Sequence, residues 1–534
     1  MPQVMNVRRE ALRLLREAEQ KDAYLSRILD GALQNSPLSE RDRALLAAIV
    51  SGVTEKRVTL DFCIDALCRT DEKPGARMRM ILRIGAYQLL FLDRIPQHAA
   101  VAETVALGKS PGERAFINGL LRTMARKLSA GAVNMKAAAA APFGADGQSA
   151  ATDALSGRDE KSDAAAPFGT DGQSTATDAL SGRDEKSNVT AAPFGADEKT
   201  AEAAVPCGTD KKTASAAARI AAVADLPKDP TARLGVLYAF PAEVVRLFEE
   251  NLGDHAESAL SALASLPPTT VCINTLRLDV QSALARLRKA GIAAEKCPDA
   301  PRGVLILQTI AYASIEAALG AGNFFVQDEA SQLAVTALAP RAGETGADVC
   351  ACPGSKSFHA ALLMENRGQI FSSDLHESKL SLIQSGAEKL GVDILKISAR
   401  DARDAHPALA GTCDFVICDV PCSGLGVLAK KPDIRHRCAH LPEKLAPLGY
   451  EILCAAAKNL RPGGRLLYST CTLTKLENEQ NYHKFLDSHA DFSPLDFTVG
   501  GVRSRGGCVT LLPNRTRDGF FFGLMVRGEQ NEQN

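Results

Sequence analysis

Apolar positions recur at helical spacing through residues 5 to 128, in ALRLLREA, AYLSRILDGAL, ALLAAIVSGV, LDFCIDAL and MILRIGAYQLLFL. A period of 3.6 residues predicts amphipathic helices, so residues 1–130 read as an all-helical domain. Ser39 and Asp42 have the spacing of a capping box that opens the third helix. Arg41, Arg43, Lys56, Arg57, Arg77, Arg79 and Arg83 fall between the apolar stripes. They read either as solvated helix faces or as a surface for an acidic partner.

The pattern then stops. PFGADGQSAATDALSGRDEKSDAAA from Pro142 recurs from Pro167 and starts again at Pro193. A repeat of this length can signal a solenoid, but solenoid units must bury an apolar face against their neighbours. Residues 131–215 hold only three Phe, two Leu and no Ile, so a disordered linker is expected there. Over 216–325 the pattern becomes mixed, with VCINTLRL and VLILQ as strands and QSALARLRKAGI as a helix closed by Gly291. These predict a small α+β domain. Over 326–528 short apolar strands alternate with helices, the pattern of an α/β Rossmann-like domain. Residues 529–534 read as a tail.

Composition changes this picture in two places. The 534 residues carry 62 Lys+Arg against 63 Asp+Glu, and a net charge of −1 argues against a nucleic-acid partner. Divided by segment, however, residues 1–130 hold 21 basic against 15 acidic side chains and residues 131–215 hold 8 against 13. The helical domain is basic, and the acidic linker masks it. Trp is absent and aromatics make up 5 % of the chain, so base stacking has few side chains to draw on. Fourteen Cys without framework spacing suit a reducing compartment. The most apolar stretch, ILRIGAYQLLFL, contains Arg83, and the N-terminus lacks an apolar signal core. A soluble, cytoplasmic, monomeric protein with no membrane partner is expected.

The chemistry concentrates after residue 346. A short strand ends at Asp348 and runs through Cys350, Ala351, Cys352, Pro353, Gly354, Ser355 and Lys356 into the apolar helix FHAALLM. Strand, tight loop and helix form the geometry in which backbone amides approach a ligand. Later strands end at or lead to Asp374, Asp401 and Asp419. Acids after four successive strands line the carboxyl edge of one parallel sheet, where an acid after the second strand is placed to take a ribose diol. The loop has neither a Walker A nor a three-glycine dinucleotide signature. A nucleoside held by carboxylates, such as S-adenosylmethionine, fits better than ATP or NAD.

Two thiols, Cys422 in DVPCSG and Cys471 in YSTCT, follow two of these strands. Zinc is a competing reading, since Cys413, Cys418 and Cys422 are close in sequence, but Cys413 and Cys418 have opposite parity on a strand and point to opposite faces. No metal is expected.

The segments SERDRALLAAIVSGV, ILRIGAYQLLFLDRIPQHAAVAETVALGK and ERAFINGLLR resemble, in order, the RNA-binding NusB fold. QDEASQLAV, DVCACPGSKS, DVPCSGLG, KKPDI, YSTCTLTKLENEQ and DGFFFGLM resemble the motif series of the Sun-type RNA cytosine-5 methyltransferases. With the NusB-like front, the resemblance is to the bacterial branch acting on 16S ribosomal RNA of the small subunit. It implies that Cys471 attacks carbon 6 of cytosine, that Cys422 assists loss of the carbon-5 proton, and that Asp419 bonds the base. Cys350 to Lys356 would cradle the methionine part of S-adenosylmethionine, with Asp374 at the ribose, Asp401 at the adenine and Asp419 beside them. The same resemblance admits a tRNA cytosine-5 methyltransferase, and a non-catalytic RNA-binding assembly factor is the reading from another class. The family loop usually places Ala at position 352 and Gly at 355. If position 355 requires positive φ, Ser355 would be strained by ~1 to 3 kcal/mol.

Overall fold

The computed structural model describes residues 6–21, 25–34, 36–68, 73–140, 211–404 and 406–529. The N-terminal periodicity forms helices α1 (Val7–Lys21), α2 (Leu25–Gln34), α3 (Glu40–Glu55), α4 (Arg57–Leu67), α5 (Ala76–Phe91), α6 (Gln97–Val105) and α7 (Pro111–Ala140). Leu14, Leu46, Ile49, Ile81, Leu82 and Leu121 fill their shared core. Ser39 caps α3 as expected, accepting from the Asp42 amide at 3.2 Å.

The basic residues separate by environment. Arg41 and Arg43 are exposed, whereas Arg83 is 5 % exposed and holds the Asp61 carboxylate with two bonds of 2.8 Å. Arg79 reaches Asp65 at 2.7 Å and Arg77 reaches Glu113 at 3.0 Å. The solvated-face reading therefore fails for Arg83. Its helix α5 is packed by α1, α3, α4 and α6 together, and a buried guanidinium persists only when it is paired.

Helix occupies both edges of the segment expected to be linker, since α7 runs to Ala140 and α8 spans Lys211–Val223. The repeats at 141–210 lie outside the described residues. Ile220 and Val223 of α8 and Val236 of α9 (Pro230–Tyr238) join the N-terminal core. The residues up to Val236 thus pack with the helical domain and not with the small α+β domain. Helices α10 (Ala242–Leu252) and α11 (Ala256–Leu263) form a separate cluster, in which Phe240, Val244 and Leu260 meet Leu425, Leu428 and Cys438.

The small domain has the sheet order β2-β3-β1-β4, built from β1 (Thr269–Ile273), β2 (Ala294–Lys296), β3 (Gly303–Ile306) and β4 (Phe324–Val326). Helices α12 (Val280–Lys289) and α13 (Tyr312–Leu319) supply Leu287 and Leu319 to its core. The strand expected over VCINTLRL stops at Ile273. Asn274 turns the chain there by accepting from the Leu276 amide at 3.2 Å and donating to the Gly322 and Leu390 carbonyls.

The catalytic sheet has eight strands in the order β10-β14-β9-β8-β5-β6-β7, with β13 beside β14. Strands β5 (Thr345–Asp348), β6 (Gln369–Asp374), β7 (Leu395–Ala399), β8 (Cys413–Asp419) and β9 (Leu460–Thr470) are mutually parallel. Strand β14 (Phe520–Arg527) runs antiparallel to β9, and β10 (Phe492–Pro494) and β13 (Cys508–Leu511) pair with β14; β11 (Thr498–Val499) and β12 (Val502–Arg503) form a separate clip. Helices α14 (Glu329–Leu338), α15 (Ser355–Leu363), α16 (Glu377–Leu390), α17 (Pro442–Ala457) and α18 (Glu479–Ser488) complete the domain. Because β5 lies between β6 and β8, the strand order reverses at that point and opens a crevice at the carboxyl ends. RPGG, which reads as a turn, is a bulge within β9, where the register slips between Leu460 and Arg465. No helix among the described residues is long and apolar enough to cross a membrane.

Candidate active site

The loop after β5 is pinned at both ends. The Ala351 amide donates to the Ser373 carbonyl of β6 at 2.8 Å, and the Gly354 amide donates to the Ala351 carbonyl at 2.6 Å. The left-handed residue is Gly354, with φ of 110°, and a Cβ there would meet the Phe358 ring at 2.4 Å. Ser355 is the first residue of α15, with helical backbone. The strain expected at Ser355 is therefore absent, because the glycine requirement falls one residue earlier. Cys352, the other departure from the family loop, is half-buried and directs its sulfur at the Lys379 carbonyl, 3.8 Å away.

Asp348 ends β5 in the interior. Ser357 donates to its Oδ2 at 2.7 Å, while Oδ1 is buried without a partner. Burial pushes the acid up to about 7 against the pull of the Ser357 hydroxyl. Two residues on, Cys350 stands where the four acids converge. Burial first, and then the fields of Asp348, Asp419, Asp374 and Asp401, hold its thiol well above the ordinary range. The carboxylates that the strand pattern placed on one edge thus surround one point of the loop.

They differ in surroundings. Asp374 accepts from the His376 amide at 3.1 Å, with the Lys379 ammonium at 3.8 Å. Asp401, two residues beyond β7, faces solvent beside Arg403, whose hydrogen bonds and charge hold it down at about 2. Asp419 ends β8, where it meets Lys356 Nζ at 2.7 Å and the Ser469 hydroxyl at 2.7 Å. Burial disfavours the Lys356 ammonium, but the Asp419 charge outweighs it and raises the pKa.

Asp419 and Ser469 are register partners on β8 and β9, so the loops leaving these two strands start side by side. They bring the sulfurs of Cys422 and Cys471 to 3.3 Å. Either thiol can donate across this contact. That bond is the main influence pushing Cys422 up and Cys471 down, and the thiolate is therefore favoured on Cys471. Lys431 and Lys356 add favourable charge at Cys471, and Asp419 opposes them.

One buried group here escaped the reading of single residues. Glu477 lies in LENEQ, six positions past Cys471, and accepts from Ser423 beside Cys422 and from Thr474. The spacing of Thr474 and Glu477, that of a capping box, is the signal that could have drawn attention to it.

A ring of carboxylates with an unpartnered buried oxygen on Asp348 suits a ligand carrying a ribose diol and cationic centres, which is the donor chemistry S-adenosylmethionine presents. No cluster of His, Cys, Asp or Glu among the described residues is arranged to hold a metal ion. Parallel strands in the order β7-β6-β5-β8-β9, flanked by antiparallel β14 and lined by this acidic edge, define a Rossmann-like S-adenosylmethionine-dependent methyltransferase. Residues 335–526 match the family model described as 16S rRNA methyltransferase RsmB/F, residues 5–126 match the NusB family, and residues 240–313 match the ferredoxin-like domain of RsmF/B-like methyltransferases. The chain thus carries, in order, a NusB match, an RsmF/B-like ferredoxin-like match and an RsmB/F methyltransferase match.

It is 28 % identical to "Probable ribosomal RNA small subunit methyltransferase B" of Bacillus subtilis, over 97 % of this chain and 98 % of the relative. The protein of the same name from Synechocystis is 29 % identical, covering 98 % of this chain and all of the relative. "Ribosomal RNA small subunit methyltransferase B" of Vibrio cholerae is 28 % identical, covering 98 % of both. Among solved structures, "Crystal Structure of PH0851" shares the fold, with a TM-score of 0.64 at 20 % identity over 97 % of both chains.

Proposed function

We propose that this protein methylates carbon 5 of a cytosine in small-subunit ribosomal RNA, with Cys471 as the nucleophile. The observation that carries the reading is the 3.3 Å approach of the Cys422 and Cys471 sulfurs beside the Asp419–Lys356 pair. Carbon 5 of cytosine is not nucleophilic until a group adds at carbon 6, and a thiolate is the side chain suited to that addition. Cys471, its negative form favoured by the Cys422 hydrogen bond, forms the sulfur–carbon 6 bond. Asp419 and Lys356 then face the polar edge of the ring, where charge builds up.

S-adenosylmethionine supplies the methyl group from a sulfonium, and the loop from Cys350 to Lys356, with Asp374, Asp401 and Asp419, holds it. Once Cys471 is bonded to carbon, it no longer accepts from Cys422. Cys422 gives its proton to water and takes the one leaving carbon 5. Reformation of the double bond breaks the sulfur–carbon 6 bond and returns Cys471 as thiolate. The target base must leave any stack to reach this edge.

RNA contact is assigned to the helical domain and to the small α+β domain built on β1 to β4. A groove of about 800 Å³ lined by Arg9, Arg13, Arg16, Arg77, Lys109 and Arg114 supports the first of these. Incubation with methyl-labelled S-adenosylmethionine and unmodified small-subunit RNA should place label on carbon 5 of a cytosine. Label only on transfer RNA, or none, overturns the substrate or the activity respectively.

A further inference from the structure

Glu477 is 2 % exposed, and a buried carboxylate is costly unless donors satisfy it. Its donors come from the two thiol loops. The Ser423 amide reaches Oε1 at 2.8 Å, the Ser423 hydroxyl reaches Oε2 at 2.6 Å and the Thr474 hydroxyl reaches Oε2 at 2.7 Å. Since the Ser423 hydrogen is given to the carboxylate, the 2.7 Å contact between the Ser423 and Thr472 hydroxyls has Thr472 as donor. Ser423 follows Cys422 and Thr472 follows Cys471. The residue after each thiol is thus tied to the residue after the other, and Glu477 anchors the tie. Filling this space would need only an apolar side chain; receiving three donors from two loops needs both carboxylate oxygens.

We propose that Glu477 is a positioning residue for methyl transfer, clamping the Cys422 loop to the Cys471 loop and so setting the separation of the two sulfurs. The proposal rests on Cys471 as the nucleophile. It acts through geometry: a misplacement of about 1 Å in a reacting pair can cost on the order of 10²-fold in rate.

The test is Glu477→Gln in the full chain. Gln has the same shape but only one accepting oxygen, so at least one of the three donors is lost. Alkylation of Cys471 by iodoacetamide, located by mass spectrometry across a pH series, reads its titration directly and needs no RNA. Cys422, Asp419, Lys356 and Lys431 act on this thiol in the folded protein. Removing a nearby negative charge, by itself, moves a thiol's midpoint down. Loosening the Cys422 bond moves it up. The clamp predicts an upward shift, with kcat lowered by about 30-fold or more and KM for RNA within twofold. Thr472→Val, which removes the hydroxyl tie and keeps Glu477, should shift the midpoint in the same direction by less. An unchanged or lower midpoint in a folded Glu477→Gln protein overturns the proposal. If that variant does not fold, an unshifted Thr472→Val does so. Should the wild-type enzyme label no cytosine, the methylation reading fails while the thiol titration still decides the clamp.

Discussion

Asp348, at the end of β5, and Asp401, just past β7, follow strands of one parallel sheet, and their surroundings drive them in opposite directions. Burial pushes Asp348 up to about 7, whereas Arg403 in open solvent holds Asp401 down at about 2. Only β6 separates the two strands. At the end of β5 the carboxyl is enclosed, with Ser357 as donor to Oδ2 and no partner at Oδ1. Past β7 the carboxylate is partly exposed and Arg403 is its partner. An enclosed group feels its neighbours' fields weakly screened, and a partly exposed one feels them damped by solvent.

The sharpest way to break this comparison is at the thiols. Cys471→Ala should abolish methyl transfer and form no protein–RNA adduct, while Cys422→Ala should accumulate an adduct that survives denaturing electrophoresis. Reversed results would exchange the two roles. Next is Lys356→Met, which leaves Asp419 without the cation 2.7 Å away. A fall in kcat of about 10² to 10³-fold is expected, as for loss of one preorganised electrostatic donor. A change confined to KM would mean that the pair serves binding alone.

The acids after β6 and β7 should respond more mildly. Asp374→Ala should weaken S-adenosylmethionine binding by about tenfold, roughly 1.4 kcal/mol, measured by calorimetry. Asp401→Ala, at a solvent-facing site, should change it by about twofold to threefold. Equal losses at the two positions would erase the graded difference between the two strands.

A separate effect, on stability and not on activity, is one of pH. Asp348 is raised in the folded chain from an ordinary value near 3.8 to about 7. Its neutral form is therefore favoured by folding. The associated stability is fully present below the ordinary value, declines as pH rises through about 7 and is then constant. Asp348→Asn, which keeps an acceptor for Ser357, should flatten that decline; denaturant midpoints at pH 5 and pH 8 measure it.

Much of the catalytic domain was legible because its signals are local. Strand endings at Asp374 and Asp419 came from short apolar runs, and the helix after Lys356 from its apolar periodicity. The two thiols, Cys422 and Cys471, came with the motif series. Residues whose role depends on distant neighbours were harder to read. Arg83 looked like a surface arginine because its own helix face does not reveal that Asp61 lies opposite. Arg435 drew no attention, yet it is 1 % exposed, donates to the Leu263 carbonyl at 2.7 Å and stacks over Phe240 at 4.4 Å. It thereby fastens the segment after Lys431 to the end of α11. Ser355 was judged by family habit, while the backbone places the glycine requirement at Gly354, one residue earlier.

The sequence by itself determined the types of element, the break at the repeats, the basic helical front and the two thiols, because these follow from periodicity, composition and motif within a few dozen residues. Only the tertiary structure decided which of the strand-end acids is enclosed, that the two thiols meet, and that Glu477 ties their loops. Each of those depends on what a second, remote segment brings within about 3 Å, and burial sets how much such a neighbour counts.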